Sequence, residues 1–313
     1  LCVRAPVGVV NITSRKICIG RGLCAIKPNE KLLLDFVYYA LTQKKDYFDK
    51  YSTGSTFKAI SSKVVVNAKI LTPPLSDQQT IVAELDKLNE VIALKRKQLA
   101  DLDSLAQSLF YEMFGDPVVN EKGWEVKKLR DIGKVVTGNT PSRFIPEYYN
   151  KNYIEWIKTD NIEKNSIRPS KAKEYLSEEG AKHGRVVNKG SLLVACIAGS
   201  LESIGKSCIT DRSVAFNQQI NAITPDESIN VVFLYSLIAS MKKVIEEKAS
   251  TGMKHILTKS AMEEIEIFLP PLSLQQSFSA KIAKIEAEKQ RVKASLKDLE
   301  TLLASRMQYW FDN

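Results

Sequence analysis

Polar side chains able to pair with the edges of nucleobases stand in two tight groups. Asn217, Gln218 and Gln219 follow an aromatic residue and precede the β-type run INAIT. Lys158, Asp160 and Asn161 lie within WIKTDNI, residues 156–162. A carboxamide can pair bidentately with adenine, and a lysine can contact guanine in the major groove. Each group has an equally physical alternative: an Asx-type turn in which the side chain binds nearby backbone. Arg143 ends TGNTPSR, where Gly and Pro serve turn geometry while Thr140, Ser142 and Arg143 could meet a phosphate. Lys58 in STGSTFK and Lys254-His255 in STGMKH each follow a glycine that would cap a helix C-terminus, leaving the cations exposed for phosphate contact. Phosphate contacts position a domain, while base contacts specify sequence.

Catalytic chemistry has no comparable foothold. The chain has no G-x4-G-K-[ST], G-x-S-x-G or H-E-x-x-H, no glycine fingerprint of a dinucleotide site, and no N-P-P-[YF] run. His183 and His255 are the only histidines, and the five cysteines lack CxxC spacing, which argues against a zinc site. Free thiols, no signal peptide and no apolar run of membrane-spanning length lead us to expect a cytoplasmic, non-catalytic binding protein.

The elements that would carry these residues repeat. TPPLSDQQ at 72–79 recurs as LPPLSLQQ at 269–276, an offset of 197. The same offset lays Gly8 on Gly205, Ala25-Ile26 on Ala222-Ile223, Phe36 on Phe233 and Phe114 on Phe311; STG at 52–54 matches 250–252 after a one-residue slip. The prolines disfavour helix before them, and Ser76 with Gln79, like Ser273 with Gln276, fits a capping box opening a helix.

Each run after the phrase carries apolar residues in 4-3 alternation. The first has Ile81, Leu85, Leu88, Ile92, Leu99, Leu102, Leu109 and Met113, with Lys95 and Ala106 in the seam. The second has Phe278, Ile282, Ile285, Val292, Leu296, Leu299 and Leu303, with Lys289, Arg306 and Trp310 in the seam. This is a coiled-coil pattern, and each helix would be roughly 55 Å long. The two helices are read as each other's partners, with a homodimer through one of them as the alternative.

Charge is uneven. Residues 1–76 hold 12 Lys/Arg against 4 Asp/Glu, residues 77–116 hold 4 against 8, and residues 273–313 hold 7 against 5. The acidic first helix and basic second favour pairing, and the basic opening segment, with Arg4, Arg15 and Arg21, is the footprint of a nucleic-acid binder.

The order is therefore globular segment, long helix, globular domain, long helix. The domain opens with GWEVKKLRDIGKVVTGNTPSR, contains WIKTDNI and NQQINAITP, and closes on STGMKHIL and LPPLSLQQ. Over essentially the whole chain this resembles the specificity subunit of type I restriction–modification systems. The resemblance implies an α+β protein: two mixed α/β target-recognition domains alternating with two helices that pair as an antiparallel coiled coil. Residues 1–75 would be a partial first recognition domain, short of its opening 70-odd residues; 76–116 the first spacer helix; 117–272 the second domain; 273–313 the second helix. It implies recognition of a bipartite double-stranded DNA site and docking of methyltransferase and restriction (motor) subunits, with S-adenosylmethionine, ATP and Mg belonging to those partners and none to this chain. Arg4, Arg15, Arg21, Lys58, Arg143, Lys158, Asp160, Asn161, Asn217, Gln218, Gln219, Lys254 and His255 are the candidate DNA-contacting residues. The rival readings are the recognition portion of a fused restriction–methylation enzyme, or a coiled-coil adaptor that never touches DNA.

Overall fold

The repeat is first of all a repeat of helices. In a computed structural model, which describes residues 1–163, 166–250, 252 and 254–312, two units separate: Leu1–Ala100 with Gln290–Asn313, and Asp101–Lys289. The first holds α1 (Leu34–Gln43), α2 (Lys45–Lys50), α3 (Ser62–Val66) and the start of α4 (Leu75–Phe114). Moved by 197, each starts where a helix of the second half starts. Gly8 and Gly205 share a left-handed φ, 81° and 76°, and lie against Phe48 and Ile245, themselves 197 apart. The β-bridges Thr53–Ala59 and Ser250–Ile256 keep the same offset, so the slip inferred at STG is not needed. Gly54 does not cap a helix either: α2 ends at Lys50, and Gly54 turns the bridged loop at φ 110°, where a Cβ would lie 2.4 Å from the Phe57 carbonyl. Thr251 and Met253 of the matching phrase lie outside the described residues.

The Pro-bounded phrase works differently from a capping box. Helix α4 starts at Leu75, so Ser76 is already inside its first turn, and its hydroxyl bonds only to the Asp77 carboxylate among the described residues. The neighbouring glutamine is the anchor. Gln78 is fully buried; its amide donates to the Lys31 and Pro73 carbonyls at 2.9 and 2.8 Å and accepts from Leu33 N at 2.9 Å. Gln275 repeats this, donating to Ser228 O and Pro270 O at 3.3 and 2.8 Å and accepting from Asn230 N at 2.8 Å. Each glutamine thus satisfies backbone groups that the turn before α1, or its counterpart, would otherwise bury unpaired.

The second unit opens with β1 (Glu125–Lys128) and β2 (Gly133–Thr137), then β3 (Ile154–Ile157), β4 (Tyr175–Leu176), α5 (Glu178–His183) and β5 (Val186–Val187). There follow β6 (Leu192–Ala195), β7 (Ile197–Ala198), β8 (Ser207–Ile209), β9 (Val214–Phe216) and β10 (Ile220–Pro225). It closes with α6 (Val231–Ser240), α7 (Lys242–Lys248), β11 (His255–Ile256), α8 (Lys259–Glu263), β12 (Glu266–Leu269) and the start of α9 (Leu272–Phe311). Two four-stranded sheets run β2-β10-β6-β8 and β4-β3-β9-β5; β1-β12 and β7-β11 are two-stranded. Alternation explains the first sheet's two-sided burial. Leu192 and Val194 join the core with α6 and α9, while Leu193 and Ala195 join the core facing β3 and β9.

Within each unit the two long helices run antiparallel. Arg96 pairs with Glu300, and Arg306 with Glu84, in the first. In the second, Phe110 meets Phe278 and Lys289 meets Asp103 at 2.8 Å. Ile81, Leu85, Ile92, Phe278, Ile282, Ile285 and Val292 are buried; Leu88, Leu99, Leu102, Leu296 and Leu299 are half-buried. At both C-termini the buried stripe steps by one residue. Phe110 and Phe114, and 197 later Met307 and Phe311, take the places expected of Leu109, Met113, Arg306 and Trp310. A straight helix drifts about 20° per heptad against a 3.5 repeat, so four heptads shift the buried stripe by nearly one residue. Lys289, 5% exposed, is held by Asp103 and Glu286. Burial disfavours its ammonium, but those hydrogen bonds outweigh it and raise its pKa.

Glu84 offers a pH test. Hydrogen bonding from Arg306 is the largest effect on its carboxyl and, with Trp310, holds it below the usual carboxylate range against a partial burial penalty. A carboxylate depressed in the folded state adds stability above its unfolded pKa, near 4.3, and loses it as pH falls through the folded value. Glu84→Gln should therefore cost stability at pH 7 and cost progressively less below about pH 4, as urea melts across that range would record. A penalty independent of pH would mean the ion pair is not the source.

The first unit keeps the helices but not the sheet. Among the described residues of 1–74 the extended segments meet only as isolated bridges, Cys2–Leu23, Arg4–Ala59 and Thr53–Ala59. Ile12, Ile17, Ile19, Leu23 and Ile26 are 38–51% exposed, whereas Ile209, Val214, Phe216, Ile220 and Ile223, 197 residues on, are at most 1% exposed.

Candidate nucleic-acid interface

Strands β3 and β9 run parallel, with Trp156 opposite Ala215 and Ile157 opposite Phe216. The WIKTDNI turn and the NQQ turn therefore leave the same sheet edge, and Asn217 N donates to Ile157 O at 3.0 Å. The TGNTPSR loop reaches this edge too. Gly138 packs so closely on residues 216–217 that a Cβ would lie 2.1 Å from the Asn217 carbonyl, which only glycine permits. Thr140 hydrogen-bonds Gln218. Strand β11 follows, since Leu257 N and Gln219 O both bond Cys196 backbone. Folding thus gathers Arg143, Lys158, Asp160, Asn161 and Asn217–Gln219 at one end of the second unit, with Lys254 and His255 one strand pair away.

Their availability differs. Asn161 is 7% exposed; its oxygen accepts from Lys158 N at 3.0 Å and its amide donates to Lys171 O at 3.2 Å. Asn217 is 5% exposed and exchanges hydrogen bonds with Gln219, through its amide at 3.1 Å and its carbonyl at 3.2 Å. Both asparagines close turns, the structural alternative open in the sequence. Gln218 and Asp160 are exposed.

Arg143 and Lys158 are spent on a shared partner that sequence spacing did not reveal. Both bond Glu174, and both lie over the Trp156 ring at 4.9 Å, with Arg143 also over Tyr149 at 4.5 Å. Burial pushes the Glu174 carboxyl up, but hydrogen bonds from Lys158 and Arg143 outweigh it and hold the pKa below the usual range. Nothing local to Glu174 marks it as their counter-ion; it lies on the segment entering β4, and the fold alone brings it near. The His255 ring is half-buried, with Nδ1 enclosed and lacking a hydrogen-bond partner among the described residues; Lys254 is exposed.

In the first unit, Arg4, Arg21 and Lys58 converge: Val3 N bonds Gly22 O, and Ala5 N bonds Lys58 O. Arg15 lies apart on a turn closed by Thr13. All four side chains are exposed. Among the described residues no His/Cys/Asp/Glu group could hold a metal ion, and no helix is long and apolar enough to cross a membrane.

Three comparisons bear on this arrangement. The sequence profile of the type I restriction modification DNA specificity domain matches residues 1–104 and 121–298. The type I restriction enzyme MjaIX specificity subunit of Methanocaldococcus jannaschii is 27% identical over 300 residues, 89% of this chain and 68% of that protein. The HindI specificity subunit of Haemophilus influenzae is 31% identical over 169 residues, 52% of this chain and 36% of that protein. The solved S subunit of a type I system from M. genitalium shares the fold at TM-score 0.61 and 16% identity, over 99% of this chain and 82% of that one. A chain from a structure of complex assembly and conformational transition in the type I R-M system does so at TM-score 0.61 and 19% identity, over 92% and 73%. Since the profile takes in both globular parts and most of both long helices, this chain belongs to the type I restriction–modification DNA specificity family.

Proposed function

We propose that the chain is the DNA sequence-specificity subunit of a type I restriction–modification complex, reading a bipartite double-stranded site without catalysing methylation or cleavage. Residues 1–75 and 117–272 are its recognition segments, and 76–116 and 273–313 its spacer helices. It docks methyltransferase and restriction subunits, which bring S-adenosylmethionine, ATP and Mg, and it works in the cytoplasm. The observation that carries this reading is one sheet edge of a family member collecting exposed hydrogen-bonding side chains.

Within that edge Gln218 is the base reader and Asp160 a candidate second. Asn217, Gln219 and Asn161 shape the turns that present them. Arg143 and Lys158 meet DNA only by leaving Glu174, which makes them positioning cations. Lys254 and His255 flank the same edge. Arg4, Arg21 and Lys58, with Arg15, supply phosphate contacts for the first segment.

The test is a salt titration with a pool of randomised duplexes. Each neutralised phosphate contributes about 0.9 to the slope of log K against log salt. Arg4→Glu, Arg15→Glu and Arg21→Glu together should lower that slope by roughly 3 and weaken every sequence alike. A wild-type chain whose association with duplex is absent at low salt would favour the coiled-coil adaptor instead.

A further inference from the structure

We infer that Phe144 is an apolar wedge that packs against the bases of the bound duplex; this rests on the DNA-reading function proposed above. Phe144 is 97% exposed, more than any other large hydrophobic residue described. A single exposed apolar residue is ordinary, and what distinguishes this one is its mounting.

The loop that carries it is fixed on every side without its help. The Tyr149 hydroxyl donates to Pro141 O at 2.6 Å. Arg143, the preceding residue, is stacked on Tyr149 and Trp156 and bonded to Glu174. Beyond it, Ser177 N donates to Tyr148 O at 2.8 Å and Ser177 Oγ to Glu147 O at 2.6 Å. Gly180 presses on the Tyr148 carbonyl, 2.2 Å from where its Cβ would sit. A ring on a rigid mount gives contact area at little cost in ordering.

Its surroundings favour nucleic acid over protein as the occupant. The ring follows Ser142 and Arg143 in the loop whose Thr140 bonds Gln218, and exposed Ile145 follows it, so an apolar tip stands directly beside polar and cationic groups. An aromatic beside such groups matches the chemistry of bases, whose faces stack on rings while their edges meet polar side chains.

Two variants test this with the full chain and a pool of randomised 30-base-pair duplexes. Phe144→Ala should weaken binding about tenfold while leaving the salt slope unchanged, because a stacking contact releases no counterions. Its melting temperature should not move. Phe144→Trp should retain affinity and add an acrylamide-quenchable tryptophan to the three native ones, and the duplex should then shield it. Overturning results are specific. If wild type and Phe144→Trp bind duplex and the added indole stays quenchable, the ring does not touch DNA. If Phe144→Ala binds duplex as wild type does but loses self-association or binding to methyltransferase subunits, the wedge serves protein. If wild type binds no duplex, the DNA-reading function fails, and this inference with it.

Discussion

Gln275→Ala is expected to lower the melting temperature of the second unit by roughly 6–12 °C, while Gln276→Ala and Ser273→Ala move it by no more than a degree or two. The asymmetry follows from geometry. Gln275 is fully buried and meets three backbone groups, the Pro270 and Ser228 carbonyls and the Asn230 N–H. Truncation strands all three, and each unpaired buried group costs about 1–3 kcal/mol. Partial relaxation and water entry keep the total nearer 3 kcal/mol than the sum. Asn230 also caps α6, accepting from Val232 N at 2.9 Å and Phe233 N at 3.3 Å, so loosening the clasp loosens the start of a core helix. Gln276 is exposed and has no side-chain bond among the described residues. Calorimetry of the three variants separates the alternatives. Equal losses in Gln275→Ala and Gln276→Ala would restore the capping box as the function of the phrase.

Why the wrong glutamine stood out in the sequence is instructive. S-x-x-Q is a local pattern whose meaning depends on where the helix begins, and the helix begins two residues earlier than the pattern needs. The clasp joins residues 45–47 apart, so no window of the sequence contains it. The repeat itself was legible because it rests on identity at a fixed offset, and the helices because 4-3 alternation is a one-dimensional signal. The stripe's step onto Phe110 and Phe114 was not, since a strict heptad count ignores the drift of a straight helix. At the sheet edge, the residue types were legible and their availability was not. Asn161 and Gln218 look equally suited to adenine, and only the turns they occupy bury one and expose the other. Glu174 was invisible because a counter-ion is defined by what surrounds it.

Hydrogen exchange should separate the two halves of the repeat by three orders of magnitude or more in amide protection, a range set by local opening on one side and unit-wide opening on the other. Ala222 and Ile223 lie in β10, between β2 and β6, paired with Val136 and Val135 on one side and with Leu193 and Leu192 on the other. Their counterparts Ala25 and Ile26 are exposed, with no backbone hydrogen bond to their N–H groups among the described residues. No ladder forms there: among the described residues of 1–74 the extended segments meet only as isolated bridges. Leaving Ile12, Ile17, Ile19, Leu23 and Ile26 about half exposed forfeits on the order of 5 kcal/mol of burial that the second unit's strands gain. The first unit must then rest on its helices, through Phe36, Ile81, Leu85 and Phe311, and on the Gln78 clasp. Peptides covering 9–28 should therefore exchange within seconds under conditions where 206–225 stay protected for hours, while α1 and the start of α4 exchange slowly. Comparable protection of Ile26 and Ile223 would mean that the first unit completes a sheet in solution, and that the exposed isoleucines are covered by a partner strand.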